Sequence, residues 1–131
     1  MNKKYHILIA EDNQPLLHLM TIALKKEGYE VISVPTGAEA VLQLNNLKEK
    51  IDLVLTDYIL PDMNGKELSQ IATELNPHIK LVFTSGYADL FDKCEDNIQF
   101  IQKPFTLDKL VENIRYILEG GETSIISSTK G

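Results

Sequence analysis

Apolar positions along the chain switch repeatedly between two spacings. His6 to Ala10 (HILIA) is a near-continuous apolar run, the pattern of a strand buried on both faces. Leu16, Leu17, Met20, Ala23 and Leu24 then recur at helical spacing, and Gly28 supplies a stop. Glu30 to Val34 predicts a second strand, after which Thr36 caps a helix with Ala40, Val41, Leu44 and Leu47 on its apolar face. A third strand is expected over Ile51 to Thr56. The loop DYILPDMNG follows, then a helix on Leu68, Ile71, Ala72 and Leu75, closed by Asn76-Pro77. Ile79 to Thr84 predicts the fourth strand and Ile98 to Gln102 the fifth. Between them, Ala88 to Asn97 has little to bury and predicts a short or frayed helix. The last helix starts near Thr106 or Asp108 and carries Leu107, Leu110, Val111, Ile114, Ile117 and Leu118 on one stripe.

Strands alternating with helices imply parallel βα units with right-handed crossovers. The expectation is an α/β fold: a doubly wound five-stranded parallel sheet between helical layers, in one domain over 1–119. Residues 120–131, GGETSIISSTKG, are mostly small and polar with one Ile pair and predict a disordered tail. There is no internal repeat.

Composition narrows the function. A formal charge of −6 argues against direct nucleic-acid binding, which needs basic residues to neutralise phosphates. No apolar run approaches the roughly 18 residues of a membrane segment, and the apolar stretch behind MNKKY is too short for a secretory signal. Cys94 is the single cysteine, so no internal disulfide can form and a cytoplasmic location is expected.

The chemistry gathers where apolar runs end. Glu11-Asp12 follow HILIA, Asp57 follows IDLVLT, Ser85 follows KLVFT and Lys103 follows IQFIQ. In an open parallel sheet, ligands bind at the C-terminal strand edge, near the point where strand order reverses. With the order 2-1-3-4-5, Glu11, Asp12 and Asp57 meet across that point. Three carboxylates repel unless a cation joins them, and a hard divalent ion such as Mg²⁺ suits oxygen donors. Glu11-Asp12 alone would read as a helix cap; Asp57 in register favours a metal site. Asp57 is the candidate nucleophile toward a phosphoryl group, with Lys103 neutralising charge on its oxygens. Thr84 and Ser85 are adjacent, and strand alternation lets only one of them face the site. Ser85 is preferred because Gly86 leaves room beside it, with Thr84 the fallback. The Lys103-Pro104 bond is a candidate cis peptide.

ILIAEDN, LTDYILPDMNGKEL, LVFTSGYAD and FIQKPFTLDKL together resemble the receiver domain of two-component response regulators, over roughly residues 4 to 119. The resemblance implies the flavodoxin-like (CheY-like) three-layer sandwich. It also implies that Asp57 accepts a phosphoryl group from a histidine kinase or histidine phosphotransfer protein. Asp12, Asp57 and the Ile59 backbone carbonyl would bind Mg²⁺, with Glu11 acting through water. Ser85 would be the switch hydroxyl and Lys103 the phosphate-pairing lysine. Phe100 would be the switch aromatic, a role that competes with plain core packing.

Three departures from the pattern stand out. Ser85 to Lys103 is about one helical turn shorter than in a chemotaxis receiver. Ile59 and Tyr87, two positions past Asp57 and Ser85, are not residues that orient water, which implies slow self-dephosphorylation without other enzymatic activity. SGYAD and FIQKPF are most similar to receivers fused to hybrid histidine kinases, so part of a larger hybrid kinase or a stand-alone receiver both fit. The competing readings are a Mg²⁺-dependent aspartyl-phosphate phosphatase of haloacid dehalogenase type and an unphosphorylated pseudo-receiver. The phosphatase should carry a second acid where Ile59 stands, and the pseudo-receiver usually lacks acidic or lysine positions that are intact here. His6, His18 and His78 have no second metal ligand at usable spacing.

Overall fold

The computed structural model describes residues 4–87 and 98–120 together with the short strand Ile125–Ile126. Its elements are β1 (His6–Ala10), α1 (Gln14–Lys26), β2 (Glu30–Val34), α2 (Gly37–Leu47), β3 (Leu53–Asp57) and α3 (Gly65–Leu75). They continue with β4 (Lys80–Ser85), β5 (Ile98–Gln102), α4 (Leu107–Leu118) and β6 (Ile125–Ile126). The strands pair in parallel in the order β2-β1-β3-β4-β5-β6. The core is therefore the expected 2-1-3-4-5 sheet, with strand order reversing between β1 and β3. β6 adds a two-residue edge beside β5, within a segment whose sequence predicted no regular structure. The short helix expected over Ala88 to Asn97 lies outside the described residues.

Apolar strand residues divide by alternation between two cores. Leu8, Val54, Leu81, Phe83, Ile98 and Phe100 face α2 and α3 with Ala40, Leu44, Leu68 and Ala72. Ile7, Ile9, Leu53, Leu55, Val82 and Ile101 face α1 and α4 with Leu17, Met20, Leu24, Leu110 and Ile114. Burial on both sides explains why the strands read as apolar runs rather than alternating ones.

Helix ends are specified locally. Asn13 caps α1, its side-chain oxygen accepting from the Leu16 amide at 3.0 Å. Glu11 and Asp12 are thus not needed as the cap. Thr36 caps α2 and Thr106 caps α4 by the same device. Asn64 opens α3 with a capping box, accepting from the Glu67 amide at 2.9 Å while the Glu67 side chain accepts from the Asn64 amide at 3.1 Å.

Two strands sit further along the chain than their apolar runs suggest. Ile51 still belongs to the turn after Lys48–Lys50, its carbonyl taken by the Asn76 side chain at 3.1 Å. β3 therefore starts at Leu53 and takes in Asp57, paired with Thr84, while β4 ends on Ser85, paired with Gln102. Asp57 and Ser85 are the last residues of their strands, not the first of the loops. No helix among the described residues is long and apolar enough to cross a membrane.

Asn64→Ala removes half of the box at the start of α3. It is expected to cost about 1 kcal/mol, read as a lower urea midpoint at unchanged slope.

Candidate functional site

At the C-terminal sheet edge, Glu11 follows β1, Asp57 ends β3 and Lys103 follows β5. The Lys103 ammonium donates to Glu11 Oε1 at 2.9 Å and to Asp57 Oδ2 at 3.0 Å. Each carboxylate's other oxygen accepts from backbone: Glu11 Oε2 from the Asn13 amide at 3.0 Å, and Asp57 Oδ1 from the Ile59 amide at 3.3 Å. Those bonds fix both side chains. Asp12 completes the cluster, with one oxygen from each of Glu11, Asp12 and Asp57 within 4.8 Å of one another. At that separation and an effective dielectric of about 20, two carboxylates repel by about 3 kcal/mol. Lys103 offsets part of this. Three carboxylates against one ammonium still leave two formal negative charges, and an all-oxygen set of that charge fits a hard divalent cation such as Mg²⁺.

Burial differs sharply within the cluster. Glu11 is 1% exposed whereas Asp12 is open to solvent. Burial pushes the Glu11 carboxyl above its ordinary value, against the opposing pull of the Asn13 amide and Lys103. For Lys103, burial works against the charged form, but hydrogen bonds to Glu11 and Asp57 outweigh it and hold the ammonium above its usual range.

The switch candidates sit beside this cluster. Ser85 is buried and its Oγ accepts from the Tyr87 amide at 3.0 Å, while its carbonyl accepts from the Lys103 amide at 2.8 Å. Thr84 is buried too, and its Oγ1 has no hydrogen-bond partner among the described residues. Strand alternation puts Ser85 on the same face as Phe83 and Phe100, toward α2 and α3. Phe100 is fully buried, its ring edge-on to Phe83 at 5.4 Å and 6.4 Å from Tyr58. Its structural role here is core packing. Ile59 and Tyr87 are exposed beside the site. The Lys103-Pro104 peptide is cis.

Sequence reasoning overlooked Tyr58, Phe83 and Asp62. Tyr58 packs edge-on against Phe83 at 5.3 Å, so the residue that follows Asp57 is part of an aromatic layer with Phe83 and Phe100. Gly65 admits this layer: a Cβ there would meet Phe83 and the Tyr58 backbone at 3.1 Å. The signal was present as Gly65 following an aromatic loop, but only the fold shows what approaches it. His18 and His78 are exposed, and His6 is half-buried with its amide donating to Asp52 Oδ2 at 2.8 Å.

Comparison with known proteins decides the family. Residues 7–115 match the response regulator receiver domain. The chain belongs to this family. A similar receiver is the response regulator receiver protein CpdR of Brucella abortus, 35% identical over 116 residues that cover 86% of this chain and 95% of that protein. The sensor kinase CckA of the same organism is 32% identical over 86% of this chain, which spans 12% of that kinase. Among solved structures, the receiver domain of the hybrid histidine kinase CckA aligns with a TM-score of 0.77 at 28% identity, over 86% of this chain and 98% of that one. A CheY-like receiver from Methanospirillum hungatei aligns at 0.78 with 32% identity, over 89% and 95%. Both the predicted fold class and the predicted resemblance stand.

The buried Glu11 yields a pH prediction for this receiver. Its folded pKa lies above the unfolded one, so its stabilising contribution is complete below the unfolded value of about 4.5 and is lost as pH rises through the folded value. Glu11→Gln keeps a carbonyl acceptor without the buried charge. In metal-free denaturant titrations it should be more stable than the parent at pH 7, with the advantage shrinking toward pH 4.

Proposed function

We propose that this receiver is a phosphoacceptor in a two-component or phosphorelay pathway, taking a phosphoryl group on Asp57 from a phosphohistidine donor with Mg²⁺. The observation that carries this reading is the single ammonium of Lys103 spanning Glu11 and Asp57, with Asp12 alongside. An Asp57 carboxylate oxygen attacks phosphorus, the P–N bond to the donor imidazole breaks, and its electron pair stays on that nitrogen, which takes up a proton. Asp12, Asp57 and the Ile59 carbonyl would hold the metal, and Glu11, buried and already paired with Lys103, would act through water. Mg²⁺, when bound, supplies positive charge for the phosphoryl oxygens.

Lys103 has a second task once the phosphoryl group is in place. Its ammonium, freed from Asp57 Oδ2, pairs with a phosphoryl oxygen. Ser85 would donate to another, giving up the Tyr87 amide as its partner. Phe100 shares the Ser85 face with its ring already packed inward, so movement of Ser85 and a change in that packing are natural companions. The output is conformational, and the chain's own chemistry is limited to accepting the group and slowly losing it.

The donor should approach over α1 and the loop after Lys103, which surround the site. Leu19 and Ile22 lie half-exposed on α1, lining a groove shared with Leu107 and Val111 of α4. Such a face suits the helical surface of a histidine kinase or phosphotransfer protein, whether the receiver acts alone or within a hybrid kinase.

Incubation with Mg²⁺ and a small acyl-phosphate donor should add one phosphoryl mass to the parent and none to Asp57→Asn, with chelator abolishing the gain. Absence of any gain from small donors and from phosphorylated histidine domains alike would overturn the reading. The exposed, apolar Ile59 cannot orient water on the acyl phosphate, so the phosphorylated parent should outlive phosphorylated Ile59→Asn in a time course of intact mass. A shorter lifetime for the parent would contradict this.

A further inference from the structure

The loop from Tyr58 to Asn64, which carries the Ile59 carbonyl, is tied down at more points than its length requires. At its base, the Tyr58 amide donates to the Thr84 carbonyl at 2.9 Å and the Gly65 amide to the Tyr58 carbonyl at 2.6 Å. Within it, the Leu60 amide donates to the Met63 carbonyl at 3.0 Å, and Ile59 and Asn64 face each other in an antiparallel bridge. These bonds close the loop into a small hairpin but leave its tip, Pro61-Asp62, to be placed by something else.

That anchor belongs to another element. Asp62 Oδ1 accepts from the Gly37 amide and Oδ2 from the Ala38 amide, both at 2.8 Å. The carboxylate therefore grips the first two free amides of α2, with the helix dipole in its favour. Thr36 serves the next amide, that of Glu39, at 3.2 Å. The two caps are not redundant: Thr36 is local to α2, whereas Asp62 reaches 25 and 24 residues back along the chain. Met63 reinforces the grip. A Cβ at Gly37 would lie 2.3 Å from Met63 Cγ, so the missing side chain is what lets Met63 lie against the start of the helix.

We propose that Asp62 is a positioning residue for the metal site, clasping the loop tip to α2 so that the Ile59 carbonyl is held ready for the cation. This rests on the phosphoacceptor reading, because it assigns the Ile59 carbonyl to the metal. The clasp lies on the exposed rim and adds little to the core, and its value is geometric. A loop free at its tip can still close its hairpin, but its Ile59 carbonyl samples a wider range of orientations. Binding Mg²⁺ then has to order the loop as well, which weakens affinity.

The discriminating experiment is isothermal titration with Mg²⁺ on the parent, Asp62→Ala, Asp62→Asn and Thr36→Ala, each also unfolded in urea. Thr36→Ala removes a cap from the same helix without touching the loop, so it controls for simple destabilisation. Both alanine variants should unfold at lower urea. Only Asp62→Ala should raise the Mg²⁺ dissociation constant, by about tenfold, the low end of what loss of a supporting partner around a metal site costs. Asp62→Asn, which keeps one acceptor oxygen, should recover part of the affinity. Equal Mg²⁺ affinity in Asp62→Ala and Thr36→Ala overturns the positioning role. A parent chain that binds no Mg²⁺ at all overturns the reading beneath it, and the positioning role with it.

Discussion

One ammonium between two carboxylates organises this end of the molecule. Lys103 reaches from the end of β5 across β4 to Asp57 on β3 and to Glu11 after β1. It can do so because the parallel sheet brings all these strand ends to one edge, and because β1 and β3 are neighbours where strand order reverses. Burial disfavours charge on both Lys103 and Glu11, and each is kept in place by the other. The arrangement is satisfied enough to fold yet still carries surplus negative charge. That surplus sets it apart from a buried ion pair and is of the kind a cation would neutralise.

The surrounding structure holds this constellation still. Asn13 takes over the capping of α1, leaving Glu11 and Asp12 for the site. Tyr58, Phe83 and Phe100 form an aromatic layer under the loop that follows Asp57, and Gly65 makes room for it. Ser85 and Phe100 share a face of adjacent strands, the one toward the core facing α2 and α3.

Much of this was legible in the residues. Strand and helix periods differ enough that β2 and β5 were placed to the residue, and turn chemistry at Thr36 and Gly28 marked helix ends that the structure keeps, while of Thr106 and Asp108 it is Thr106 that caps α4. The cluster of Glu11, Asp12, Asp57 and Lys103 was legible because every member follows an apolar run. The boundaries that moved are those where a buried apolar residue lies outside the ladder, as with Ile51, whose backbone bonds to Asn76 instead of a strand. Asp62 escaped notice because its partners, Gly37 and Ala38, are joined to it only by tertiary packing. β6 escaped notice because two isoleucines in a polar tail carry no periodic signal.

The most direct test of the central claim is a crystal structure of the receiver with Mg²⁺ and beryllofluoride, which mimics a phosphoryl group on a carboxylate. The result expected is beryllofluoride bonded through beryllium to an Asp57 oxygen, Lys103 turned from Asp57 toward a fluorine, Ser85 Oγ on another, and the metal against Asp12, Asp57 and the Ile59 carbonyl. Lys103 still bridging Glu11 and Asp57, with no beryllofluoride on Asp57 and no metal among the three carboxylates, would contradict it.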